Sequence, residues 1–288
     1  MPQLAVSFCN ASHTAGRVLG LFDTATTELV CPDLGRADLT SACGLAADTD
    51  WLYCASTGPD ASYVSLLDYR DFRFQRVVEL PEVRDVHSIA LDGNALIAVS
   101  TGTDSVLRID METMRHEVVW RIGAGETDTH HLNAVTWFGD HLLCSGFGPK
   151  STDRWSSAID GYIYDITANS YVATGLYHPH SLASFGEVLY VCESSYSRVR
   201  TIDMPVAALS LSGYVRGLAF TQDGAFAVGS SVGRHDASLG DVVLNSADDG
   251  EPRGRCAIRM SDSIATQDGA QTFDLSSYAN EIYDIFIV

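Results

Sequence analysis

The chain has 288 residues, a length that suits one large all-β domain or two ordinary ones. Eighteen Lys and Arg stand against 37 Asp and Glu, a formal net charge of -19, which repels phosphate backbones and anionic membranes and argues against a nucleic-acid partner. No apolar run approaches the roughly 20 residues that cross a bilayer, Met1–Val6 lacks a basic-then-apolar leader, and the seven cysteines form no CxxC pair. The expectation is a cytoplasmic protein with reduced thiols, free of any membrane.

In chain order, LAVSFCN and RVLGLFDTAT read as two strands near the amino end. A repeat follows, in which a small residue opens a short apolar strand, a turn intervenes, and a second apolar strand ends in small residues. The copies run from Gly44-Leu45-Ala46 into WLYCAST, from Ser88-Ile89-Ala90 into ALIAVST, and from Asn133-Ala134-Val135 into HLLCSGF. Two more run from Ser181-Leu182-Ala183 into VLYVCES and from Gly217-Leu218-Ala219 into AFAVGSS. The opening residues are 44, 45, 48 and 36 positions apart, a period that suits a four-stranded propeller blade. The turns LDGNA, WFGDH, SFGEV and TQDGA each set Gly beside a polar residue, as tight hairpins require. VLRIDMET, GYIYDITA and RVRTIDMP supply outer strands, and no amphipathic helix of three turns stands out.

Two stretches interrupt the period. Residues 146–160, GFGPKSTDRWSSAID, form an aromatic-bearing insertion that can cover a ligand site. Residues 234–274 are polar and read as extended loops. The carboxyl end, EIYDIFIV, is a strand of the first type. Paired with the amino-terminal strands it completes a sixth blade and leaves no sheet edge open. The predicted fold is an all-β, six-bladed β-propeller closed by pairing the N- and C-terminal strands in one blade, a single domain over residues 1–288.

PHS at 179–181, VRGLAF at 215–220, VGSSVGR at 228–234, EIYDI at 281–285 and the opening SFCN at 7–10 resemble the bacterial domain of unknown function 4915 family. The resemblance implies a propeller-like fold and says little of activity. The Pro-Gly turn expected after the last strand is missing from the sequence, which stops at Val288.

The residue before each inner strand faces one mouth of the channel. Lining up the copies gives Cys43, His87, His131 or Leu132, His180, Arg216 and Glu281. His178 and His180 flank Pro179 and point to one side of a strand, whereas His130 and His131 point to opposite sides. Asn133 is an alternative to His131 for the channel. Three imidazoles, His87, His131 and His180, are ordinary ligands for zinc, iron or another first-row divalent metal, and equally ordinary as hydrogen-bonded residues of a wet channel. Arg216 has the forked donor that grips a carboxylate or phosphate, or else pairs with Glu281; Arg234 has the same two uses. Glu193 stands where other copies carry Ser or Gly, which makes it a candidate base or ligand, and Tyr283 shares a strand face with Glu281 and can donate to substrate.

No GxGxxG, GxxxxGK[ST] or HExxH is present, which leaves Rossmann hydride transfer and P-loop chemistry unsupported. The leading expectation is a metal-assisted hydrolase, lyase or isomerase acting on a small anionic metabolite. His87, His131 and His180 would hold the metal, Glu193 or Glu281 would move the proton, and Arg216 would hold the anion, with Tyr283 beside it. The alternative is a non-catalytic module that binds a small molecule or protein at the same mouth.

Overall fold

The computed structural model describes residues 3–9, 17–124, 127–204, 206–232 and 254–288. Arg234, the 233–253 part of the long polar stretch and Asn10 of SFCN lie outside the described residues.

Six antiparallel four-stranded sheets form the ring. Their inner strands are Ser41–Ala47, Val86–Asp92, Leu132–Phe138, Pro179–Phe185, Tyr214–Phe220 and Ile282–Ile287, which head blades one to six. In the sixth blade Ile282–Ile287 pairs with Gln3–Phe8, followed by Leu19–Asp23 and the short Leu29–Val30. The closure matches the expectation from EIYDIFIV. Leu4 and Val6 from one end and Ile282 and Ile285 from the other share one buried cluster with Ala227 and Ile258 of blade five. Closure is therefore a packed core as well as a ladder.

Apolar residues of the inner and second strands pack between neighbouring blades: Tyr53 and Val64 of blade one against Ile89, Leu96 and Leu107 of blade two, for example. At the inner hairpin turns, Gly93, Gly139 and Gly186 take φ of 57°, 59° and 58°, left-handed angles that cost glycine nothing. Part of the 234–274 stretch differs from its reading as loop. Ala257–Ser261 and Gln271–Asp274 are the two outer strands of blade five. The last strand of a blade is a solvent-facing edge, so Gln271–Asp274 carries mostly exposed polar residues and lacks an apolar signal. Among the described residues, the only helical turns are three 3-10 turns, and no helix is long and apolar enough to cross a membrane.

Every inner strand carries a register shift near its start, at Cys43, His87, Asn133-Ala134, Ser181, Gly217 and Tyr283. Each extra residue is a β-bulge, which bends the strand and re-aims side chains. Just past the bulge, adjacent blades are fastened across the channel. Ser88 Oγ accepts Val135 N–H at 3.2 Å, Ser181 Oγ accepts Gly217 N–H at 2.8 Å, and Asp284 Oδ2 accepts Leu45 N–H at 3.0 Å. The alternate blades place Gly44, Ala134 and Gly217 at this level, and a Cβ on Gly44 would lie 2.8 Å from Ile89 N.

Candidate functional site at the channel mouth

The second strands fix the equivalence of the blades. Ala42, Val86, Leu132, Pro179, Val215 and Ile282 pair with Ser56, Ser100, Gly146, Glu193, Ser230 and Phe8. One residue further along lies a ring of Cys43, His87, Asn133, His180, Arg216 and Tyr283. One residue before lies an outer ring of Ser41, Asp85, His131, His178, Tyr214 and Glu281. Members of the two rings two apart in sequence share a face, which explains their contacts.

This register separates residues that the sequence placed in one ring. His131 and Glu281 belong to the outer ring, and Asn133 and Tyr283 take the inner positions. The cause lies in the alignment of these two blades: Ala134 and Asp284, not Asn133 and Ile282, stand level with Gly44 and Ser88, so His131 and Glu281 lie two residues before the inner positions. Asp85, His131 and His178 hold their outer positions with φ of 53°, 49° and 50°.

Arg216 anchors the inner ring. Its Nη1 donates to Glu281 Oε2 at 3.1 Å and to Cys9 Sγ at 3.1 Å. Its guanidinium lies 4.7 Å from the Tyr214 ring centre and 5.1 Å from that of Tyr283, cation–π distances. Burial disfavours the charge, but Cys9 and Glu281 outweigh burial and raise the pKa, so Arg216 stays charged. Its Nε is buried and has no hydrogen-bond partner among the described residues.

The histidines beside this charge are neutral. Burial lowers His87 to about 4, against the opposing pull of Asp85, whose carboxylate lies 3.5 Å from His87 Nε2. Burial lowers His178 to about 4, and burial together with Arg216 takes His180 well below the usual imidazole range. Their tautomers follow from fixed carbonyls, which only accept. His178 Nε2–H donates to Trp155 O at 2.9 Å, and its Nδ1 accepts Tyr214 O–H at 2.9 Å. His180 Nδ1–H faces His178 O at 3.1 Å and Ser194 Oγ at 2.7 Å, which leaves Nε2 with a lone pair. His131 Nδ1 bonds Asp128 Oδ2 at 2.8 Å, and burial pushes the Asp128 carboxyl up to about 6.

The 146–160 insertion folds over this mouth. Phe147 stacks on His178 at 4.2 Å and 8°, Trp155 lies 4.5 Å from His131, and Lys150 Nζ sits 4.4 Å over the Trp155 ring. His87 and His131 meet at 5.0 Å between ring centres, and Phe147 packs against both His131 and His180, 4.6 Å and 5.1 Å from their rings. Among the described residues, no group of three or more His, Cys, Asp or Glu side chains is placed to hold a metal ion. No step below passes through a metal.

Glu193 has different company. It is fully buried in the second strand of blade four, bonded by Arg198 Nε at 2.6 Å and by Tyr177 N–H at 3.2 Å, with Arg200 Nε at 3.8 Å. These bonds brace its own blade. Tyr283 O–H donates to Asn133 Oδ1 at 3.1 Å, which ties blade six to blade three across the axis. Below the ring, a channel cavity of about 280 Å³ extends between the inner strands, bordered by His87, Asn133, His180, Tyr283 and Asp284.

Residues 68–288 match a family described as a domain of unknown function, DUF4915. The chain belongs to this family. The matched region holds all of the two rings except Ser41 and Cys43, while the SFCN segment lies outside it. No curated protein matches the sequence. Solved structures share the fold at low identity. A nidogen/laminin complex structure has TM-score 0.64 and 11% identity, covering 100% of this chain and 98% of that one. A protein of unknown function from Bacteroides caccae has TM-score 0.62 and 14% identity, covering 100% and 99%. A luciferin-regenerating enzyme has TM-score 0.55 and 11% identity, covering 81% and 76%. The propeller fold of this family is thus shared with an enzyme and with a protein from a binding complex.

Sequence reasoning paired His178 with His180 on one strand side but missed Cys9, Tyr214 and Asp128 as neighbours of the site. The signal for Tyr214 was available: it lies two residues before Arg216, as His178 does before His180. Cys9 had no such signal, because it arrives from a second strand.

Proposed function

We propose that the channel mouth binds a small anionic molecule and transforms it by hydrolase, lyase or isomerase chemistry. Arg216 holds the anion, and His180 moves a proton through Nε2. The observation that carries this reading is the charge state of the site. One guanidinium remains charged and buried with its Nε unpartnered, among imidazoles that burial keeps neutral. A carboxylate on Arg216 would complete that hydrogen bonding. Its negative charge would raise the pKa of His180 toward the range of a useful base. Phe147 and Trp155 exclude water from above, which strengthens both effects.

The test is calorimetric titration with acetate, malonate, succinate and inorganic phosphate, beside Arg216→Met. A charge-assisted hydrogen bond is worth about 1.5–3 kcal/mol, so the variant should lose roughly tenfold or more in affinity. Equal affinity in both proteins removes Arg216 from the site.

A second reading, a non-catalytic binding module, is favoured by His178, whose two ring nitrogens are both occupied by protein groups. A ligand recovered chemically unchanged after long incubation supports that reading over catalysis.

A further inference from the structure

We propose that Cys9 is a nucleophile at this mouth, activated by Glu281 and directed by Arg216 toward small carboxylate-bearing esters or thioesters. The proposal rests on the anion-binding reading of Arg216 and adds a covalent step to it.

The blade equivalence makes Cys9 unusual. It follows Phe8 at the top of a second strand, where the other blades carry Thr57, Thr101, Phe147, Ser194 and Ser231. Three of those residues staple their blade to the next inner strand. Thr101 Oγ1 donates to Leu132 O at 2.6 Å, Ser194 Oγ to Val215 O at 2.5 Å, and Ser231 Oγ to Ile282 O at 3.2 Å. The sixth blade places a thiol there, and its partners are charged. Cys9 Sγ donates to Glu281 Oε2 at 3.3 Å and accepts from Arg216 Nη1 at 3.1 Å.

These are the two contacts that turn a thiol into a nucleophile. A carboxylate within reach can take the proton, and a guanidinium beside sulfur stabilises the thiolate. At the other buried cysteines, Cys43, Cys54, Cys144, Cys192 and Cys256, burial is the chief influence and pushes the thiols up, with Arg216 opposing it at Cys43. The independent sign of a ligand is Arg216 itself, about 5% exposed, with its Nε unpartnered in the same cluster. Arg216 is thus placed to bind a substrate carboxylate and to steady the sulfur at once.

The step balances without an added oxidant or reductant. Glu281 takes the Cys9 proton as sulfur attacks the acyl carbon and the S–C bond forms. The bond from that carbon to the leaving oxygen or sulfur breaks, and the leaving group departs with its electron pair and the proton from Glu281. Water then attacks the thioester, releasing the acid and returning the proton to Cys9.

The experiment compares iodoacetate with iodoacetamide on the native protein and locates the adducts by peptide mass spectrometry. Cys31, the one partly exposed cysteine, is the internal reference, and burial raises its thiol. Accessibility alone favours Cys31; activation favours Cys9. We expect Cys9 to be alkylated roughly tenfold faster than Cys31 and to prefer the carboxylate reagent, while Cys31 prefers the amide. Para-nitrophenyl hemisuccinate should give a burst of nitrophenolate with an acyl group on Cys9, and para-nitrophenyl acetate a much smaller one. These readings use the wild-type protein and do not depend on whether a variant folds. Arg216→Met should abolish the reagent preference. Labelling of Cys31 with Cys9 untouched, or no preference at Cys9, overturns the proposal. If succinate still binds Cys9→Ser and the wild type alike while Cys9 is inert, the nucleophile fails and the anion site stands.

Discussion

Asp284 makes the stability of the ring depend on pH in a direction opposite to most carboxylates. It borders the channel below the ring, where its oxygens accept Leu45 N–H at 3.0 Å and Ile285 N–H at 2.9 Å. Burial outweighs those two bonds and pushes its pKa up to about 7. An aspartate in the unfolded chain titrates near 3.9. From about pH 4 to about pH 7 the unfolded state has lost this proton and the folded state keeps it, so stability falls as pH rises and then levels. Three units at 1.36 kcal/mol each set an upper bound of about 4 kcal/mol, of which roughly 2–3 kcal/mol falls between about pH 5 and pH 8. Contact with the open channel reduces that figure. His87 and His178 act in the opposite sense. Their folded values of about 4 give stability that is present above about pH 6.5 and lost as pH falls toward 4. Both proteins in a comparison of wild type with Asp284→Asn contain them, so they cancel in the difference. Asn keeps one carbonyl acceptor and loses the other, a cost of about 1–3 kcal/mol at every pH. Urea unfolding across about pH 5 to 8 should therefore show the variant gaining on the wild type by up to about 2–3 kcal/mol as pH rises. A difference that stays constant with pH refutes the buried-carboxyl argument.

Deletion of Ile282–Val288 should abolish cooperative melting, because it removes the inner strand of blade six and exposes Leu4 and Val6. A truncated protein that melts within a few degrees of the parent refutes ring closure as the source of stability. Gly44→Ala should cost about 1–3 kcal/mol, since its Cβ would press on Ile89 N and the Ser88 backbone of the next blade. Calorimetry that finds an unchanged midpoint shows that the blades can separate there without penalty.

The fold was legible because five internal copies repeat the same physical problem: a short apolar strand, a tight turn that carries Gly in four of them, and a second apolar strand. Any one copy is ambiguous, and the shared period is what excludes helices. Blade five's outer strands escaped notice because Gln271–Asp274 is an exposed edge, where alternation has no apolar half to reveal it. The site was legible by residue type more than by position. Arg216, His87 and His180 do share the inner ring, but His131 and Glu281 stand one layer out, because each lies two residues before its own strand's inner position, Asn133 or Tyr283, ahead of the bulge that every inner strand carries.

That bulge explains why the chemistry gathers at one mouth. Below it, channel walls such as Ala46, Ala90, Ala183 and Ala219 are small, and Ser88, Ser181 and Asp284 are occupied in fastening one blade to the next. Above it, side chains two apart in sequence fall into stacked rings, so each polar inner residue acquires an outer partner from its own strand. Asp85 meets His87, and Glu281 lies beside the Tyr283 strand where it reaches Arg216. Residues from the neighbouring second strands, Phe147, Ser194 and Cys9, then fill the gaps between rings. A carboxylate, a guanidinium, a thiol and neutral imidazoles are brought together from blades far apart in sequence, each held by a backbone irregularity that its own blade supplies.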